Sequence, residues 1–271
     1  MSDEAERGAT RRVKPNLIDV TVPNAARVAD FLRGGRDNFA VDREASRVVT
    51  ASLPGVERIP GELRAFRARV ITYLVEAGIR QFLEVGTGIT PLGETHEVAQ
   101  ALDPRCRVLY TDSDPMLLSR ARKKTRSAPG GVVSCIDGDI ADVDAIIAGA
   151  PPTLDLSRPV GLLLMSTLAH VPTTIAATRA IYSLLAPVPS GSYVALYHLA
   201  NDLDTDMPGA VRAWNKTALA PVTLRSRADL LLLVEGLDLV EPGVVPVTHW
   251  HRAAGETPEA IAVHGVVARK R

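Results

Sequence analysis

The residues of this sequence that could do chemistry are acids placed beside glycines. In Glu84-Val85-Gly86-Thr87-Gly88 a carboxylate stands two residues ahead of a glycine pair. Such glycines let the chain turn sharply and bring its backbone close to a ligand. A dinucleotide fingerprint would need a third glycine at position 91, where this chain has Pro91. Glu84 would also repel a pyrophosphate, whereas its charge suits a ligand bearing an ammonium group. Two more acidic turns follow, Thr111-Asp112-Ser113-Asp114-Pro115 and Asp137-Gly138-Asp139-Ile140. Asp112 can accept both hydroxyls of a ribose, as acidic residues do at this place in nucleotide-binding units. Asp139 can accept from an adenine amino group while Ile140 packs on the ring. Asp114, just before a helix-opening proline, reads as an N-cap.

Together these turns describe a ligand with an ammonium, a ribose and an adenine but no phosphate. S-adenosylmethionine fits, and its sulfonium adds a second positive charge. The expected cofactor-binding residues are therefore Glu84, Gly86, Thr87, Gly88, Asp112, Ser113, Asp139 and Ile140. Ser166 and Thr167 follow a later strand, and Ser166 is expected at the cofactor's methionine end. Methyl transfer from a sulfonium is an in-line displacement, and positioning alone can contribute roughly 7–11 kcal/mol. A general base adds about 10²–10⁴-fold for a hydroxyl or ammonium acceptor. The candidates are His170 and His198, although the plainer reading of each is a hydrogen-bonded structural histidine. His249-Trp250-His251 would set two imidazoles on one strand face, but no third ligand stands at metal spacing, so no metal is expected.

An alternation of strands and helices must position these turns. Apolar runs at 82–85, 108–111, 132–136, 160–165 and 192–199 read as strands, the fourth fully apolar and therefore central. Helical patterns lie between them at 91–101, 115–124 and 173–185. Two further strands are expected at 237–240 and 260–268, after a helix opened by Ser226 and Asp229. This rhythm predicts an α/β fold, a mostly parallel seven-stranded Rossmann-like sheet with helices on both faces. Ligands then bind at the carboxyl ends of the central strands. Before the sheet, Pro23-Asn24 opens a helix carrying Val28, Phe31 and Leu32, Gly34-Gly35 breaks it, and 36–39 reads as a loop. A second helix runs over 61–76 with Leu63, Phe66, Val70 and Leu74 on one face, ended by Gly78.

Composition narrows the classes. Among 271 residues, 31 basic side chains balance 31 acidic ones, which argues against a broad grip on nucleic acid. Cys106 and Cys135 are too few for a disulfide framework or a cysteine zinc site, and read as buried thiols. The polar N-terminus has no apolar core for a secretion signal, and no run reaches the ~20 apolar residues of a membrane span. A soluble, cytoplasmic protein with a small-molecule acceptor is expected, bound neither to membrane nor to nucleic acid; a homodimer stays open.

Several of these stretches resemble a family of actinobacterial S-adenosylmethionine-dependent methyltransferases of unassigned substrate. The segment from Asn24 to Arg43 (NAARVADFLRGGRDNFAVDR) looks like its opening signature. FLEVGTG at 82–88, THEVAQ at 95–100, YTDSDP at 110–115 and SGSYVALYH at 190–198 continue the likeness in order. The resemblance implies a class I methyltransferase fold with an N-terminal helical cap near the cofactor. It adds Gly35, Asn38 and Thr95 to the expected cofactor-binding residues, with Asn38 and Phe39 closing the cap. Two positions depart from the family pattern: relatives commonly carry Asp at position 84, and His where this chain has Ala169, which weakens a catalytic role for His170. The expected organisation is a tail over 1–20, a helical cap over 21–78 and the methyltransferase domain over 79–271. The alternative functions are a regulatory protein that binds the cofactor without turnover and a nucleotide-dependent oxidoreductase, the latter disfavoured by Glu84 and Pro91.

Overall fold

The computed structural model describes residues 19–86, 94–124, 126–218, 220–253, 255–256 and 258–271. Thr87, Gly88, the helix start expected at Pro91 and nearly all of the polar tail lie outside the described residues.

Among the described residues three α-helices precede the sheet: α1 (Ala25–Leu32), α2 (Ala40–Ser52) and α3 (Ile59–Glu76). Asn24 opens α1 by accepting the N–H groups of Ala26 and Arg27. The start of α2 is fixed by Asp42, which accepts from the backbone N–H of Phe39 and of Asn24. The same carboxylate, fully buried, lies 2.9 Å from the Arg27 Nε in a charge contact. One acid thus pins the beginnings of two helices to each other. Gly78 ends α3 as expected, with Ile79 N–H returning to the Leu74 carbonyl.

The sheet strands are β1 (Gln81–Val85), β2 (Arg107–Asp112), β3 (Val132–Asp137), β4 (Gly161–Met165), β5 (Tyr193–Leu199), β6 (Asp238–Leu239), β7 (Val245–Pro246) and β8 (Val263–Arg269). The order is β3-β2-β1-β4-β5-β8-β6, parallel from β3 to β5, with β8 antiparallel. β4 sits at the middle of that order, as its unbroken apolar run requires. Among the described residues there are eight strands rather than the expected seven. The outermost position is shared by β6 and β7, which both pair with β8 and are separated by Glu241-Pro242-Gly243. Proline has no N–H to give to a ladder, so one longer edge strand becomes two short ones.

The remaining helices are α4 (Thr95–Leu102), α5 (Pro115–Lys124), α6 (Val143–Gly149), α7 (Thr174–Leu185), α8 (Met207–Trp214) and α9 (Arg227–Leu233). Strand alternation divides the core in two. Phe82, Val108, Tyr110, Leu163 and Ala195 face α3 with its Phe66, Val70 and Leu74. Leu83, Leu109, Leu162, Leu164 and Leu196 face α6, α7 and α9. Glu84 shares the first of these faces, a placement that decides its role. No described helix is long and apolar enough to cross a membrane.

Candidate active site

A cleft of about 1010 Å³ runs along the carboxyl ends of β1–β4 and continues between α1, α3 and α8. Its floor brings together Gly86, Asp112, Ser113, Asp139, Ile140, Ser166 and His170, all expected from the sequence.

Gly86 has φ 80°, and its N–H is tied to the Thr111 carbonyl on β2. A Cβ there would strike the Thr167 hydroxyl, which itself donates to the Val85 carbonyl. Only glycine satisfies both demands. Ser166 turns the chain at φ 76°, a left-handed conformation that costs a non-glycine residue about 1–3 kcal/mol and clusters at functional sites. Asp112, largely buried, is oriented by the Asp114 N–H on its Oδ1 at 2.9 Å. Asp114 caps α5 through the Met116 N–H, as its sequence context predicts. Asp139 accepts from Ala141 N–H at 2.9 Å and presents an exposed carboxylate.

Glu84 lies one layer below the cleft, not on its surface. Its Oε2 accepts from the Thr95 hydroxyl at 2.5 Å, and its Oε1 stands 3.4 Å from Arg67 Nη2. Thr95 is accordingly buried in this contact and does not line the cleft, whereas Arg67 does. Burial pulls the Arg67 guanidinium down, but Glu84 together with Tyr197, Tyr110 and Glu94 outweighs it and holds the group above its ordinary value. Burial raises the phenol of the neighbouring Tyr197, with Arg67 pulling it back.

Several expectations fall elsewhere. Gly35 and Asn38 are not in the cleft lining but close the turn between α1 and α2. Asp30 accepts from Asp37 N–H and Asn38 Nδ2, and sits so close to Gly35 that any Cβ would collide with its carboxylate. Phe39 is stacked beneath the Arg27 guanidinium, 5.2 Å from its ring centre. His198 is fully buried between Arg225, whose Nη1 donates to its Nε2 at 2.5 Å, and the Leu199 carbonyl. Burial, aided by the Arg225 charge, lowers it to about 4, so it is neutral and out of reach of a substrate. His170 does reach the cleft, with Nδ1 donating to the Pro221 carbonyl at 3.1 Å. A carbonyl only accepts, so in the neutral imidazole this bond leaves Nε2 with its lone pair. His249 and His251 belong to a tight turn and its exit, not to a strand face, and bond to separate carbonyls.

Sequence reasoning missed the other wall. Arg33, Arg64, Arg67 and Trp214 line the cleft from α1, α3 and α8. Arg64 and Arg67 stand three residues apart on α3 amid apolar neighbours, which was the available signal.

The comparisons agree with this geometry. The model of the S-adenosyl methyltransferase family matches residues 11–271. A DUF574 family protein from Streptomyces avermitilis is 35% identical, with 93% of this chain and 99% of that one covered and a TM-score of 0.86. A candidate methyltransferase from Thermobifida fusca is 28% identical over 93% of this chain and 97% of that one, with a TM-score of 0.85. No curated protein matches the chain. Fold, strand-end acids and family model converge: the chain belongs to the S-adenosyl methyltransferase family and is an S-adenosylmethionine-dependent methyltransferase.

Proposed function

We propose that the floor of the cleft holds the cofactor and that the space between α1, α3 and α8 receives a small-molecule acceptor. One observation carries this reading: the floor elements set Asp112 and Asp139 around the Gly86 turn and, among the described residues, contribute no arginine or lysine to the lining. Such a surface suits an adenosyl group and repels a pyrophosphate. Asp112 accepts the ribose hydroxyls, and Asp139 with Ile140 holds the adenine. Arg67 in the lining faces the methionine end and matches its carboxylate, while Glu84, one layer below, sets a negative charge beneath that end that suits its ammonium. Arg67 keeps Glu84 oriented and Thr95 occupies its second oxygen, so the pair is organised before any ligand arrives.

When bound, S-adenosylmethionine supplies a methyl group on a sulfonium leaving group. The protein's share is to orient an acceptor and to exclude water, which the apolar wall of Leu63, Met207, Val211 and Trp214 does. His170 Nε2 is positioned to take a proton from a hydroxyl or ammonium acceptor. Calorimetric titration with S-adenosylhomocysteine and with NAD tests the reading. Binding of the first and not the second is expected; a preference for NAD would overturn it.

A further inference from the structure

The four arginines of the cleft lining among the described residues all come from α1, its exit and α3, and none from the elements of the acidic floor. Three of them have acids at hand: Arg27 touches Asp42, Arg67 touches Glu84, and Arg33 stands beside Asp30. Asp30 is already engaged by the turn between α1 and α2. Arg64 has no carboxylate partner among the described residues, and Arg33 feels both Arg64 and Arg67 as like charges. This corner of the cleft therefore carries about one uncompensated positive charge, on the exposed Arg64 beside the half-buried Arg33. Around it the wall is apolar: Val49, Leu53, Leu63, Met207 and Val211, with Trp214 adding an indole N–H that is buried and lacks an acceptor.

We propose that the methyl acceptor is an apolar carboxylic acid that carries a nucleophilic hydroxyl or amine at its far end and whose carboxylate is held by Arg33 and Arg64, a specificity that rests on the methyltransferase reading above; the hydroxyl or amine takes the methyl and gives up its proton while the sulfonium leaves as a neutral thioether. One unpaired charge calls for a monoanion, and the planar guanidinium fork matches a carboxylate. A doubly charged phosphate would leave this corner negative. The apolar wall takes the body of the acid, and the acidic floor discriminates against placing its carboxylate at the cofactor's end.

The test is equilibrium binding to the full chain saturated with S-adenosylhomocysteine. The probes are benzoate, 3-phenylpropanoate, indole-3-acetate and octanoate, each beside its primary amide. At least one carboxylate is expected to bind about tenfold more tightly than its amide, a difference ordinary for a charge-assisted bond. Arg64→Gln, on an exposed helix position, and Arg33→Gln should each abolish that preference while leaving S-adenosylhomocysteine affinity unchanged. Equal binding of acids and amides, or no binding by any carboxylate, overturns the proposal while the cofactor reading stands. Loss of S-adenosylhomocysteine affinity in the two variants also overturns it, because the guanidiniums would then serve the cofactor. Failure of the unaltered protein to bind S-adenosylhomocysteine would instead defeat the reading on which it rests.

Discussion

The floor and the roof of the cleft follow opposite plans. On the floor, acids stand at the ends of parallel strands, each oriented by a backbone N–H within two residues: Asp112 by Asp114 and Asp139 by Ala141. On the roof, guanidiniums hang from helices that are fixed by buried acids, Asp42 beneath α1 and α2 and Glu84 beneath α3. The floor is positioned locally and the roof over long range. On the proposed reading, a cationic adenosyl ligand and an anionic apolar one are thereby kept apart along a single cavity. Where the two plans meet, Arg67 lines the cleft and Glu84 lies directly beneath it.

The sharpest break would be to the roof. Asp42→Ala removes a buried acid that holds Arg27 and two backbone N–H groups, and should cost about 3–5 kcal/mol in urea unfolding. A loss below about 1 kcal/mol would mean that the roof is held by packing instead. Next, Asp112→Ala should weaken S-adenosylmethionine binding by roughly a hundredfold, the loss of two charge-assisted bonds, without changing the fold. Unchanged calorimetric affinity would remove Asp112 from the floor.

A third prediction concerns pH. The unfolded chain protonates His198 below about pH 6.5, but the native chain does so only near pH 4 because burial disfavours the charge. Between those values the unfolded state binds more protons, so His198's contribution to stability is full above pH 6.5 and declines as pH falls. From pH 7 to 4.5 the parent chain should lose roughly 2–3 kcal/mol more than His198→Phe, read from paired unfolding curves. Parallel losses would show that His198 is accessible and return it to candidacy as a base. The smallest effect is expected for Asn38→Ala, which should cost about 1 kcal/mol of stability by weakening the turn between α1 and α2. Its S-adenosylhomocysteine affinity should stay the same; a tenfold weakening would place Asn38 at the cofactor after all.

Most of the floor was legible in the sequence because it is local. Each acidic turn follows an apolar run, and strand periodicity places the turn at a sheet edge. The same periodicity, applied to residue 84 itself, sends Glu84 toward α3 and away from the surface; that step needs the identity of the neighbouring helix, which one strand does not contain. Among the helices, α2 was missed because Asp42 and Ser46 interrupt its inner face with buried polar groups. α8 was missed because Pro208 and Gly209 read as breakers, although proline is tolerated in a first helical turn. With α2 and α8 invisible, the wall formed by Val49, Leu53, Met207 and Trp214 was invisible too. His198 shows the reverse failure: its strand-end position promised access, but Arg225, 27 residues on, covers it.

The most direct measurement is a crystal structure of the full chain with S-adenosylhomocysteine. The account predicts the ribose hydroxyls on the Asp112 carboxylate, the adenine against Ile140, and the amino-acid end beside Gly86 and the Glu84–Arg67 pair. A ligand lodged instead between Arg64 and Trp214, or a floor closed by its own side chains, would contradict it.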